Sequence, residues 1–569
     1  MVYFTFDSAN SNQQYIQITA SFSTKSAITF LQLPSWRPGR YELGNFAKNV
    51  RNFKVFDANN QLISAEKVTK DRWEVNTENT DAIRVTYNYY ANELNAGSSF
   101  LDDTQLYVNP VNCCVFTEET FGEEVEITIN IPAAWEVASS MEKIGEKWKV
   151  KNSEEFFDTP FIASGGLQHR TYECGGTTFY IWFNGEVKPD WDRMLKDFEA
   201  FTRSQIEKFT EFPVKEYHFL NQIIPYKGYH GVEHQKSTVI LLGPSYAVFE
   251  EFYVELLGVS SHELYHTWNV KAIRPIEMQP YDFTKENYSK LGYICEGVTT
   301  YQGDLFLLKS GVFDLNDYFK ELTTQLQRHF DNPARFHATV AESSFDTWLD
   351  GYVPGAPGRK VSIYIEGCLL AFVTDVMIRR ATSDKYGLDE VMKQLYFNFA
   401  LQGKGVSAED YQSTLEGVAG ISFQVFFDEY VHGNRPYESI LFDSFEYLGI
   451  ELLHTPTSVY SEGKLGFKAL QTENGFTIKA MFPGGPAETA GLMLEDEIIS
   501  INGYHCDKEL NKWLKYFDED SKTLTVRRAG RMLSFKLPEV NRFFYNTYGL
   551  KLMEDANIHQ QKALRHWMK

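Results

Sequence analysis

Two histidines four residues apart, with a glutamate beside the first, are the residues best placed to do chemistry: His262-Glu263-Leu264-Tyr265-His266. On a helix, positions i and i+4 share a face, so both imidazoles can hold one metal ion while Glu263 points at a water bound to it. A catalytic metal of this kind takes three protein ligands and keeps a fourth position open. Glu296, in Tyr293-Ile294-Cys295-Glu296-Gly297, is the candidate third ligand, since a carboxylate is competent for that role. Cys295 is its rival, but neighbours on a helix diverge by ~100° and both cannot bind. The bland alternative is a pair of surface histidines flanking a helical glutamate.

The elements that must position these residues follow from periodicity. A chain of 569 residues suggests three to four domains. Ile16, Ile18, Ala20 and Phe22 alternate with polar residues, as do Ile83, Val85, Tyr87 and Tyr89, and Val125, Ile127, Ile129 and Ile131. This period of two predicts an antiparallel β-sandwich over residues 1–172. Trp191, Met194, Leu195, Phe198 and Phe201 then fall at helical spacing, and the expectation is a mostly helical domain over 173–455, with Tyr217–Leu220 as a strand within it. Short strands with Gly/Pro turns return over 456–540, and a tail over 541–569 holds a helix near Ile558–Trp567. The expected fold class is therefore multidomain α+β.

The formal net charge is −21, and no Lys/Arg cluster is dense enough to attract phosphate backbones or anionic lipid, so nucleic acid is not an expected partner. The longest apolar run, Cys368–Ile378, is interrupted by Asp375, and no membrane span is expected. Met1–Asp7 has neither a basic nor an apolar leader region. The six cysteines are scattered, a pattern of reduced thiols. A cytoplasmic location is the expectation.

His262–His266 continues as Thr267-Trp268-Asn269-Val270-Lys271-Ala272-Ile273-Arg274-Pro275 before the Glu296-Gly297 segment. This run resembles the glycyl aminopeptidase family of metallopeptidases, M61, relatives of the thermolysin-like and M1 gluzincins. Leu33-Pro34-Ser35-Trp36-Arg37-Pro38-Gly39-Arg40-Tyr41 is similar to that family's signature in its sandwich domain. The resemblance implies a thermolysin-like catalytic domain with one Zn²⁺ per chain on His262, His266 and Glu296, and Glu263 as the general base. Gly231-Val232-Glu233-His234 resembles a GLEH segment whose glutamate binds the substrate's free α-ammonium, although His230 stands where the family often has glycine. Ser362-Ile363-Tyr364-Ile365-Glu366-Gly367 resembles a Tyr-x-Lys-Gly segment whose tyrosine hydrogen-bonds the oxyanion; here Glu366 replaces the lysine. Tyr352 and Tyr301 are the nearest alternative phenols.

Lys464-Leu465-Gly466-Phe467, Gly484-Gly485-Pro486-Ala487 and Asp496–Gly503 resemble a PDZ domain, which implies a C-terminal peptide as a partner or else a module that only packs against the catalytic domain. The resemblance as a whole implies an aminopeptidase that releases Gly or Ala from peptides with a free N-terminus. Its rivals are a gluzincin-type endopeptidase and a PDZ-bearing adaptor with a vestigial metal site.

Overall fold

The structure, a computed structural model, describes residues 1–353, 355–473 and 475–569. Tyr15–Ser23 and Ala82–Tyr90 alternate buried and half-buried or exposed side chains, as strands with one face on a core must. They are neighbours in an eight-stranded sheet. Val2–Asp7 lies between Tyr15–Ser23 and Val125–Asn130 and runs parallel to the latter, so this sheet is mixed where an antiparallel one was expected. The reason is that the chain returns to the sheet by a long excursion, not a hairpin.

A three-stranded sheet (Ile28–Gln32, Arg72–Asn76, Ala65–Thr69) and a four-stranded sheet (Glu136–Ser139, Phe161–Ser164, Gln105–Val108, Phe100–Leu101) complete this β-rich domain. Its core includes Phe4, Ile18, Trp36, Val85 and Tyr87, and also takes in Met278, Tyr281 and Phe283 from the following region. The two regions thus share a core.

The helical region opens with a five-stranded sheet, of which periodicity flagged one strand. Its order is Gln168–Cys174, Thr177–Asn184, Glu216–Ile223, Ser237–Gly243, Gly228–Glu233. The three middle strands are parallel to one another. Glu216–Ile223 and Ser237–Gly243 are buried almost end to end, and a strand covered on both faces loses the alternation by which strands are read. Gly228–Glu233 pairs antiparallel at the sheet's edge, against the helix Tyr253–Tyr265. A π-turn, Tyr293–Val298, runs into the helix Thr299–Lys309, and Ser362 caps the helix Ile363–Ala381 by accepting from the Ile365 N–H at 3.4 Å.

Near the end of the chain, Ile450–Pro456 pairs with Asn546–Leu552, so everything between them is an insertion into the helical region. The insertion is a six-stranded module running from Phe467–Thr472 to Arg531–Lys536, with its own core of Leu465, Phe467, Ile478, Ile498 and Leu524 among others. The tail returns as the helix Ile558–Trp567. Fully buried Trp567 donates to the Tyr301 hydroxyl at 2.8 Å, and Tyr301 donates to Asp375 at 2.6 Å. All six cysteines are buried and free, and no described helix is long and apolar enough to cross a membrane.

Candidate active site

His262 and Glu263 sit in the last turn of the helix Tyr253–Tyr265, and His266 follows as its C-cap in helical conformation. The i, i+4 geometry brings the two Nε2 atoms to 3.0 Å. His266 Nδ1 donates to the Asn269 carbonyl at 2.7 Å, which leaves the Nε2 lone pair of the neutral ring facing inward. The Asn269 side chain in turn donates to the Ile294 carbonyl (2.9 Å) and to Thr299 Oγ1 (3.0 Å), tying the histidine loop to the π-turn. From that turn Glu296 Oε2 reaches 3.5 Å from His266 Nε2 and 4.0 Å from His262 Nε2. Such wide turns recur where a helix must aim one side chain at a site.

Glu263 and Glu233 close on the same point. Both are about 95% buried, and each of their carboxylates comes within 4.8 Å of a ring nitrogen of His266. The edge strand can lie this close because residue 231 is glycine: a Cβ there would fall 2.1 Å from Glu263 Oε1. Burial pushes the Glu263 carboxyl well above the usual carboxylate range; His266 opposes this, and Glu233 and Glu296 add to it. Burial also disfavours charge on His266, but Glu233 and Glu296 outweigh it and raise that ring to about 10. His262, buried beside that cation, is held well below the usual histidine value.

Strand alternation separates the four residues of the Gly231–His234 segment. Gly231 and Glu233 face the cleft. Val232 points the other way, into a core with Leu220 and Val239, and His234 Nδ1 pairs with Asp158 at 3.0 Å outside the cleft lining. His230 does line the cleft; its Nδ1 accepts from the Ala96 N–H at 3.3 Å, and burial with Arg37 and Arg40 nearby lowers it to about 4.

Tyr364 lines the cleft from the first turn of its helix, with its hydroxyl paired to that of Tyr352. Burial and then Glu296 raise Tyr364 well above the usual phenol range, so it stays protonated. Glu366 turns away from the cleft to His329, 2.8 Å from its Nδ1, in a buried pair. The lysine expected at that position would find no such partner. Tyr301 is spent on Asp375 and Trp567.

Two residues came from the β-rich domain without any assigned role. The Tyr41 hydroxyl donates to Glu296 Oε1 at 3.2 Å. Its own N–H donates to the Tyr352 hydroxyl at 3.2 Å. Gly39, with φ +81°, lines the cleft so closely that a Cβ would lie 2.6 Å from Glu233 Oε2. Their only signal was membership of the Leu33–Tyr41 run, because the partners lie some 200 residues or more away in sequence. The cleft holds about 450 Å³.

The fold and this convergence of carboxylates and imidazoles are those of a metallopeptidase-type enzyme. Residues 4–165 match the Peptidase M61 N-terminal domain, and residues 255–370 match the M61 glycyl aminopeptidase model. The chain thus carries matches to both domains of M61 peptidases and is a peptidase. No curated protein matches it in sequence. Among solved structures it is similar to an aminopeptidase N family protein from Idiomarina loihiensis, at 23% identity over 100% of both chains with a TM-score of 0.90. An M1 zinc metallopeptidase from Deinococcus radiodurans aligns at 13% identity over 76% of this chain and 93% of that one, with a TM-score of 0.45.

Proposed function

We propose that the protein is a zinc-dependent aminopeptidase releasing small N-terminal residues, Gly or Ala, from peptides. The observation that carries this reading is the meeting of His262 Nε2, His266 Nε2 and Glu296 Oε2 within 4.8 Å of one another, beside Glu263 and Glu233. The donor set suits zinc. Two imidazoles present inward nitrogens, a carboxylate completes the trio, and the surrounding carboxylates, which favour positive charge at His266, suit a cation there. His262, His266 and Glu296 would hold the metal. Zinc bound there would supply Lewis acidity toward a peptide carbonyl and an acidified water.

The protein's own groups then divide the work. Glu263, beside the site, takes a proton from the attacking water and gives it to the leaving amine. Glu233 pairs with the substrate's α-ammonium, and a charge-assisted pair in a mostly dry cleft is what would count one residue from the N-terminus. Tyr364 donates its hydroxyl proton as a hydrogen bond to the carbonyl oxygen while charge grows there. Tyr41 orients Glu296 from behind. The preference for Gly and Ala rests on the family match alone.

The six-stranded insertion is read here as a PDZ domain. Its strand Phe467–Thr472 stands at the edge of the sheet, with Gly466 (φ +71°) in the loop before it. Phe544 packs against that loop, which favours a module docked on its own chain over an open peptide groove.

The test is hydrolysis of glycine- and alanine-p-nitroanilide against leucine and N-acetylated controls, with chelator and zinc add-back. Turnover confined to free-amine Gly and Ala substrates, abolished by chelator and restored by zinc, is the expected result. The Glu263→Gln variant should bind zinc and lose about a thousand-fold or more in kcat. Equal turnover of acetylated and free substrates would favour an endopeptidase.

A further inference from the structure

The Arg37-Pro38-Gly39-Arg40 turn, closed by the Arg40 N–H on the Arg37 carbonyl at 3.3 Å, has a cavity on each side. Gly39 faces the catalytic cleft. Arg37 and Arg40 line a second pocket of about 260 Å³ within the β-rich domain, together with Lys48, Asn95 and Asn112. Two carboxylates also line it, and both are engaged: Glu42 pairs with Arg40, and Glu93 accepts from Asn95 Nδ2 at 2.7 Å.

Arg37 is different. It is 6% exposed, its Nη1 has no hydrogen-bond partner among the described residues, and no described carboxylate pairs with it. Burial and then the like charge of Arg40 disfavour its charged form, and Glu233 opposes them only weakly. A buried guanidinium that feels Glu233 without forming an ion pair with it, and whose Nη1 is left without a partner, is costly to keep, so its retention points to an anion that completes it. The surroundings are shaped to hold it there. A Cβ on Gly97 would lie 2.0 Å from the guanidinium carbon, so this loop leaves room for the guanidinium and nothing more. Asn112 donates to the Gly97 carbonyl at 2.8 Å, which fixes the loop, and its own Oδ1 has no described partner.

We propose that this pocket binds a carboxylate, either the C-terminal group of a peptide or a free monocarboxylate. Three cationic side chains against two carboxylates leave the lining one charge positive, which suits a monoanion better than a phosphate. A guanidinium fork matches the two oxygens of a carboxylate. The pocket lies across the turn from the catalytic cleft, and the proposal does not rest on the aminopeptidase reading.

The experiment is calorimetric titration of the full chain, as purified and after chelation, with acetyl-Gly-Gly, its C-terminal amide, and acetate. None is a free-amine substrate. Acetyl-Gly-Gly should bind about ten-fold tighter than the amide in both preparations, the scale of one charge-assisted pair, and Arg37→Gln should erase the difference. Acetate binding as tightly as the peptide acid, and lost in Arg37→Gln, would equally support the pocket and assign it to free carboxylates. Should Arg37→Gln fail to fold, Lys48→Met at the exposed rim must reduce the acid preference by about two-fold or more. Binding that chelation abolishes, or that is indifferent to these variants, or equal binding of acid and amide without acetate binding, would overturn the proposal.

Discussion

The β-rich N-terminal domain and the six-stranded C-terminal module both flank the peptidase region, but they join it in different ways. The first shares a core with it through Met278, Tyr281 and Phe283, buries Trp36 with its Nε1 donating to the Asp282 carbonyl at 2.7 Å, and sends Gly39 and Tyr41 to the cleft. The second enters and leaves through the paired strands Ile450–Pro456 and Asn546–Leu552, and none of its residues is among those lining the cleft. One flank supplies a wall of the site. The other is hung on the back of it.

The largest break in this comparison should come from Gly39→Val. A side chain at φ +81° is strained, and its Cβ would collide with Glu233. The turn or the carboxylate must move, and a shift near 1 Å at a substrate anchor costs about a hundred-fold. We expect kcat/KM for free-amine substrates to fall by that factor while the fold persists; unchanged kinetics would remove the N-terminal wall from the site.

Tyr41→Phe is the gentler form of the same test. It deletes one hydrogen bond to Glu296 and leaves the packing. On the proposed zinc reading, loss of such support to Glu296 costs about ten- to a hundred-fold in metal affinity, to be read by competition with a chelator.

These two residues also mark where sequence reading stopped. His262, Glu263 and His266 were legible because a four-residue spacing on one helix places them together, and Glu296 was legible as a competent carboxylate downstream that the family resemblance then reinforced. Gly39 and Tyr41 meet their partners only after the chain has folded across some 200 residues. Val232 and His234 were readable in principle, since alternation along an edge strand puts them on the face opposite Gly231 and Glu233. The parallel strands of the five-stranded sheet were hidden for the opposite reason: burial on both faces erases the pattern.

Acid should separate the two flanks next. His218 lies in the five-stranded sheet next to Leu220, which packs against Tyr107 and Ile162 of the N-terminal domain. Trp182 Nε1 donates to His218 Nδ1 at 3.1 Å, and burial, with His169 nearby, lowers the ring to about 3. Below the unfolded value near 6.5 the unfolded chain takes up a proton that the folded one refuses, so stability falls as pH drops from there toward 3. Between pH 7.5 and pH 5.0 this group alone should cost about 2 kcal/mol, read as a urea midpoint, and His218→Gln should lose that sensitivity. The six-stranded module has no buried histidine among its described residues, so probes such as Trp513 should report no matching acid step. A shared step would mean the module is coupled to the core more tightly than its contacts imply.

The smallest effect belongs to the module's own tether. Lys468 bridges to Asp331 at 2.6 Å, at the end of the helix Leu315–Asp331, and both side chains are partly exposed. A pair of this kind contributes about 1 kcal/mol or less, and Lys468→Ala should leave hydrolysis within about two-fold of the parent. The same helix carries Glu321, Gln325 and Arg328 to the cleft, with Arg328 three residues, roughly one turn, from Asp331. It is therefore a direct physical line from the module to the substrate. A marked change in KM on cutting the tether, without a change in metal affinity, would show that the module sets the position of that helix and would turn the hanging flank into a third wall of the site.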